Sequence, residues 1–182
     1  KDWSEVHEKF KEDRKVVLKK VYRNTKQILE YIQNNGYKTE IPQNIKNGEM
    51  VVEKIFSHKS DEVAFVEKLA KENKNKTIGI LAKTEEYLEV YKKRFGSSEN
   101  MLIMTINEAQ GVEFNTVILV GINREFFKNY DLDEAIDKER KRVNRDLIYV
   151  ALTRAINRLY VCGDTKLQMI LSHETVDYKL GK

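Results

Sequence analysis

The stretch "NRDLIYVALTRAINRLYVCGD" (144–164) decides how the chain folds, because two periodicities meet inside it. Leu147, Val150, Ala151 and Arg154 recur at spacings of three, four and seven, which places them on one stripe of a helix. "LYVCG" (159–163), short, apolar and closed by a glycine, reads as a strand. A helix that ends near Arg154 and runs into a strand is half of an alternating β/α unit. The apolar stripe nevertheless ends in a guanidinium, and two readings account for that. In one, Arg154 caps the last carbonyls of its helix, favours the helix dipole and lays its stem on apolar neighbours. In the other, a buried helix holds Arg154 so that its fork reaches phosphate oxygens on another body.

The same alternation extends through the rest of the chain. Residues 1–35 read as helical: Asp2 with Glu5 resembles a capping box, Trp3, Val6 and Phe10 share a face, and Ile28, Leu29 and Ile32 form a second stripe ending at "NNG". Pro42 marks a loop to about residue 48. "MVVEKIF" (50–56), "TIGILA" (77–82), "MLIMTI" (101–106) and "TVILVG" (116–121) read as strands. "DEVAFVEKLAKEN" (61–73), opened by Ser60 or Asp61, and "TEEYLEVYKKRF" (84–95), ended by Gly96, read as helices. Short apolar strands separated by helices imply an α/β fold with a mainly parallel sheet covered on both faces. In such sheets ligands meet the loops at the carboxyl ends of the strands, which directs attention to 82–84 and 107–113.

The totals exclude several classes. A chain of 182 residues suits one domain, and a start at Lys1 suggests a piece trimmed from a longer protein. With 41% hydrophobic and 34% charged residues it is globular, and its longest apolar run, "TVILVGI" (116–122), is far short of a membrane span. A net charge of +4 permits a polyanionic partner without demanding one. The single Cys162 reads as a reduced, buried thiol, which implies a cytoplasmic setting, and three scattered histidines give no metal-ligand spacing. The GxxxxGK[ST] phosphate cradle is missing, as is a strand ending in an acidic pair for Mg2+, so the chain is not expected to hydrolyse ATP alone.

Five further positions carry two readings each. In "NEAQGVEF" (107–114), Gly111 allows a tight turn or close approach of a ligand, and Glu113 offers an acceptor for ribose hydroxyls or is a surface glutamate of a plain connection. Lys83, just after a strand, is a ligand contact or an exposed helix-start lysine. Tyr22 and Arg23 stack on a base or brace the helix that follows; the bracing role is the one expected.

Taken together, these stretches resemble the second RecA-like domain of superfamily 1 helicases of the UvrD/Rep/PcrA type. "MTINEAQGVEFNTVILV" (104–120) is similar to motif V, TIHxxKGLEFxxVFL, and "LIYVALTRAINRLYV" (147–161) to motif VI, LLYVALTRAxxxLYV. "LKKVYRNTKQIL" (18–29) resembles the LxxNYRSTxxIL segment that opens that domain, and "TIGILAKT" (77–84) occupies the place of motif IV. The resemblance implies a RecA-like domain over 18–165 that lacks its own P-loop, preceded by a helix (1–17) leading from a first motor domain and followed by a C-terminal helix or tail (166–182).

It also implies roles. Arg154 corresponds to an arginine finger that reaches the γ-phosphate of ATP bound, with Mg2+, on the N-terminal RecA-like domain. Glu113 would bind the ribose, Gly111 would shape its turn, and Lys83 would supply a second phosphate contact. Thr105 and Asn107 fall where motif V meets single-stranded DNA, and Arg145 matches a basic position without an assigned role. Ala82 replaces the aromatic that stacks on adenine, while Asn107 and Gln110 replace the motif V histidine and lysine. Only "GSSENM" (96–101) separates motifs IV and V, where the UvrD group inserts a large 2B subdomain. Compact relatives include helicase-like ATPases that act on RNA polymerase. The expected function is therefore the C-terminal motor domain of an ATP-dependent DNA helicase or translocase. A compact ATPase remodelling a protein complex such as RNA polymerase, and a non-catalytic RecA-like binding module, are the alternatives.

Overall fold

Alternation along the strands sorts the core into two layers. A computed structural model describes residues 23–123, 126 and 133–176, with side chains to residue 172. The helix expected over 1–17 and the stacking candidate Tyr22 lie outside the described residues. Among those residues the strands are β1 (Val52–Ile55), β2 (Ile78–Ala82), β3 (Met101–Thr105), β4 (Phe114–Ile122) and β5 (Ala155–Gly163). They form one sheet in the order β1-β5-β4-β2-β3, and every neighbouring pair is parallel. The helices are α1 (Lys26–Asn34), α2 (Lys59–Glu72), α3 (Glu85–Phe95), α4 (Glu134–Thr153) and α5 (Leu167–Val176).

Successive strand side chains point to opposite faces. Ile78, Ile80, Ala82, Ile118, Val120 and Cys162 therefore pack on one face, against Val63, Val66 and Leu69 of α2 and Leu88, Tyr91 and Phe95 of α3. Leu81, Val117, Leu119, Leu159 and Val161 pack on the other, against α1, α4 and α5. Strand order explains the division. The steps β1 to β2 and β2 to β3 cross the sheet in one direction, and those from β3 to β4 and β4 to β5 in the other. Right-handed crossovers then place their connections on opposite faces.

The α/β class and parallel sheet agree with the sequence reading, with three local differences. α2 begins at Lys59 with His58 at its N-cap, ahead of Ser60. β5 begins at Ala155 rather than near 159, because Phe114 and Ala155 are paired and draw the chain into the ladder directly after α4. The third is the start of α1 at Lys26, with Thr25 at its N-cap, inside the stretch read as helical to residue 35; the crossover from β3 to β4, in residues 106–113, passes over β2 without a helix. Ile106 and Ala109 seal that crossing onto the sheet and are fully buried.

Polar groups in the core are partnered. The Glu62 carboxylate, 2% exposed, accepts from the Tyr87 and Tyr91 hydroxyls and, at 3.5 Å, from the Gly121 amide. Burial, and then the charge of Glu62, push both tyrosine hydroxyls far above their ordinary range. Burial likewise pushes the free Cys162 thiol up, as suits an inert core cysteine. No helix among the described residues is long and apolar enough to cross a membrane.

Gly79 makes the crossing possible. A Cβ there would come within 2.5 Å of the Phe114 ring, which occupies the space over β2. Gly79→Ala should therefore cost about 1–3 kcal/mol through overpacking. Chemical denaturation checks this, and an unchanged midpoint would show that the ring does not depend on the missing side chain.

Candidate functional site

The crossover begins as a tight turn. Thr105 donates its amide and hydroxyl to one Glu108 oxygen at 2.8 and 3.1 Å, and the Glu108 amide returns a bond to the Thr105 hydroxyl at 3.3 Å. This is the reciprocal closure of a capping box. The Thr105 bonds, amide first, hold the Glu108 carboxyl below the usual range. One helical turn follows, with the Ala109 amide on the Thr105 carbonyl, and Gly111 then turns the chain at φ +81°. A Cβ at Gly111 would meet nothing within 4 Å, so the glycine is required by backbone conformation, not by space.

Beyond Gly111 the chain reaches the amino edge of the sheet, where three segments meet. The Phe114 amide donates to the Arg154 carbonyl at 2.9 Å. One residue earlier, Glu113 accepts from the Arg23 guanidinium at 3.1 Å. The Asn24 side-chain amide donates to the carbonyls of Thr153, at 3.0 Å, and Ala155, at 2.7 Å. Arg154 is the C-cap of α4. Its Nε donates to the Val150 carbonyl at 3.2 Å and its Nη2 to the Thr153 hydroxyl at 3.3 Å. The capping reading thus describes its present contacts. Among the described residues no carboxylate pairs with Arg154, which leaves its charge available to an anion from another body.

The sequence-derived site residues divide between the two edges. Glu113 and Arg154 stand at the amino edge with Arg23, and Gly111 lies in the crossover between the edges. Thr105 and the exposed Asn107 stand at the carboxyl edge, where Thr105 pairs with Ala82 and Lys83 follows β2. The pairing of Lys83 with Arg154 on one phosphate is accordingly corrected. Leu81 is level with Leu119 and Ala155 with Phe114, so Lys83 and Arg154 lie roughly 25 Å apart along the strands. Lys83 instead donates to the Phe126 carbonyl at 2.7 Å and sits 4.8 Å from that ring's centroid.

Glu113, expected among the carboxyl-end loops, stands at the amino edge, because 107–113 only begins at the carboxyl end. Arg145 binds the Leu171 carbonyl and lies 5.3 Å from the Tyr37 ring, which joins α4 to α5 and to the loop after α1. Sequence reasoning missed Asn24 and Thr153; the only signal was their place beside Arg23 and Arg154. Two guanidinium groups and one carboxylate make an edge whose groups could pair with phosphate oxygens and hydroxyl groups.

Residues 84–165 match the family model of the UvrD-like helicase C-terminal domain. The chain is 34% identical over 97 residues to a probable DNA helicase II homolog of Mycoplasma pneumoniae, an overlap covering 53% of this chain and 13% of that protein. It thus spans a small part of the length of that relative. The solved C-terminal domain of a possible DNA helicase from Lactobacillus plantarum WCFS1 superposes with a TM-score of 0.54 at 20% identity, over 84% of this chain and 94% of that one, and shares the fold. The matched UvrD-like stretch includes the turn, Glu113 and Arg154, whereas Arg23 and Asn24 precede it.

The Arg23–Glu113 pair lies in solvent, with Arg23 66% exposed. Exposed pairs contribute about 0–1 kcal/mol. Arg23→Ala should therefore leave the unfolding free energy within about 1 kcal/mol of wild type; a larger loss in a denaturant titration would give Arg23 a structural role.

Proposed function

We propose that the chain is the C-terminal motor domain of an ATP-dependent UvrD-like DNA helicase or translocase. It would close over ATP and Mg2+ held by an N-terminal P-loop domain of the same protein. The observation that carries this reading is Arg154: a guanidinium without a carboxylate partner among the described residues, at the end of a helix whose last two turns bury Leu147, Ile148, Ala151 and Leu152, beside Glu113 and Arg23.

On domain closure Arg154 would leave its own helix end for the γ-phosphate and stabilise the charge that develops during transfer. Glu113 would accept from the ribose hydroxyls, with Gly111 setting its turn. Arg23, not Lys83, is the second cation close enough to serve the same nucleotide. Single-stranded DNA would meet the carboxyl-edge turn at Thr105 and Asn107, and hydrolysis would open the cleft and move the strand. A buried, reduced Cys162 suits a cytoplasmic protein.

One observation favours the second reading, a motor that remodels a protein complex such as RNA polymerase. The Thr105 hydroxyl is engaged by the Glu108 carboxylate, and neither Asn107 nor Gln110 supplies charge to that turn. An anionic turn is a poor seat for a phosphate backbone.

Steady-state ATPase of the full-length parent, with and without single-stranded DNA, tests both. Arg154→Ala should lower turnover by roughly 10³–10⁵. DNA stimulation that disappears in the variant supports the helicase, turnover indifferent to DNA supports the remodelling motor, and a variant within about tenfold of wild type removes the finger assignment.

A further inference from the structure

The base of Arg154 is held from both sides by one side chain. Asn24, 8% exposed, places its amide nitrogen 3.0 Å from the Thr153 carbonyl and 2.7 Å from the Ala155 carbonyl. A side-chain amide has two N–H donors, so these bonds use its full donor capacity. The Thr153 carbonyl is among the last four of α4, which have no partner within the helix. The carbonyl between them, that of Arg154, is fixed by the Phe114 amide.

The segments form a closed ring. Arg23 and Asn24 are consecutive, and so are Glu113 and Phe114. Arg23 pairs with Glu113, Phe114 bonds Arg154, and Asn24 bonds the residues on either side of Arg154. The position of the guanidinium is thereby referenced to the carboxylate that would face the ribose.

We infer that Asn24 is the positioning residue for Arg154: by bonding both flanking carbonyls it fixes the point from which the guanidinium extends and its distance from Glu113. This inference rests on the ATPase reading proposed above. Removing the Asn24 amide takes away the side-chain donor to the Thr153 and Ala155 carbonyls, so that across segments the Arg154 turn keeps the Phe114 bond, beside the bonds within the end of α4 itself. A displacement of about 1 Å at a reacting group can cost roughly 10² in rate.

The test is a double-mutant cycle in the full-length parent, with Asn24→Ala, Arg154→Ala and the two combined. Asn24→Ala should lower kcat by about 10–100-fold with little change in KM for ATP, and the double variant should be no slower than Arg154→Ala alone, because residues that act as a unit are not additive. A further loss in the double variant would mean that Asn24 acts independently of Arg154 and would overturn the inference, as would wild-type kcat in Asn24→Ala. If Asn24→Ala does not fold, Asn24→Ser, with one donor for two carbonyls, enters the same cycle with the same criteria. A parent without ATP turnover, or one unaffected by Arg154→Ala, defeats the functional reading itself and leaves no finger to be positioned. An active parent sensitive to Arg154→Ala but not to Asn24→Ala defeats the positioning role alone.

Discussion

The amino edge of the domain depends on the pairing of β4 with β5 at its first rung, where the Phe114 amide meets the Arg154 carbonyl. That bond joins the end of the crossover to the end of the long helix α4. Beside it the Phe114 ring lies over β2, in the space that Gly79 leaves open.

Two kinds of polar arrangement coexist. Near α2 and α3, Glu62 is buried and surrounded by donors, and the cost of desolvating it is offset by hydrogen bonds to tyrosine hydroxyls and a backbone amide. At the amino edge, Asn24 is also buried, but its bonds go to carbonyls beside a cation that stays partly exposed. The first arrangement stabilises the core. The second ties a buried amide to the backbone on either side of Arg154.

The carboxyl edge has a different character. Thr105 and Glu108 close on each other, and Lys83 turns to the Phe126 carbonyl and ring. Residues that a motif alignment treats as a single nucleotide and nucleic-acid surface are divided by the length of the strands.

The strands, their parallel arrangement and the helix ending at Arg154 were legible because burial imposes periodicities of two and 3.6 on the sequence. The long similarities at 104–120 and 147–161 made Arg154, Glu113 and Gly111 legible as a set. The partners of Arg23 and Asn24 were not, since those residues lie about 90 and 130 positions from the groups they bind and local spacing carries no trace of such contacts. The pairing of Lys83 with Arg154 was misread because sequence order shows Lys83 at the carboxyl end of its strand but does not show that the end of the 107–113 loop and Arg154 stand at the amino edge. The sequence by itself determined the alternation of elements and which residues carry the charge. Tertiary structure decided which of those charges stand together, because the crossover from β3 to β4 returns to the opposite edge of the sheet before Glu113 appears.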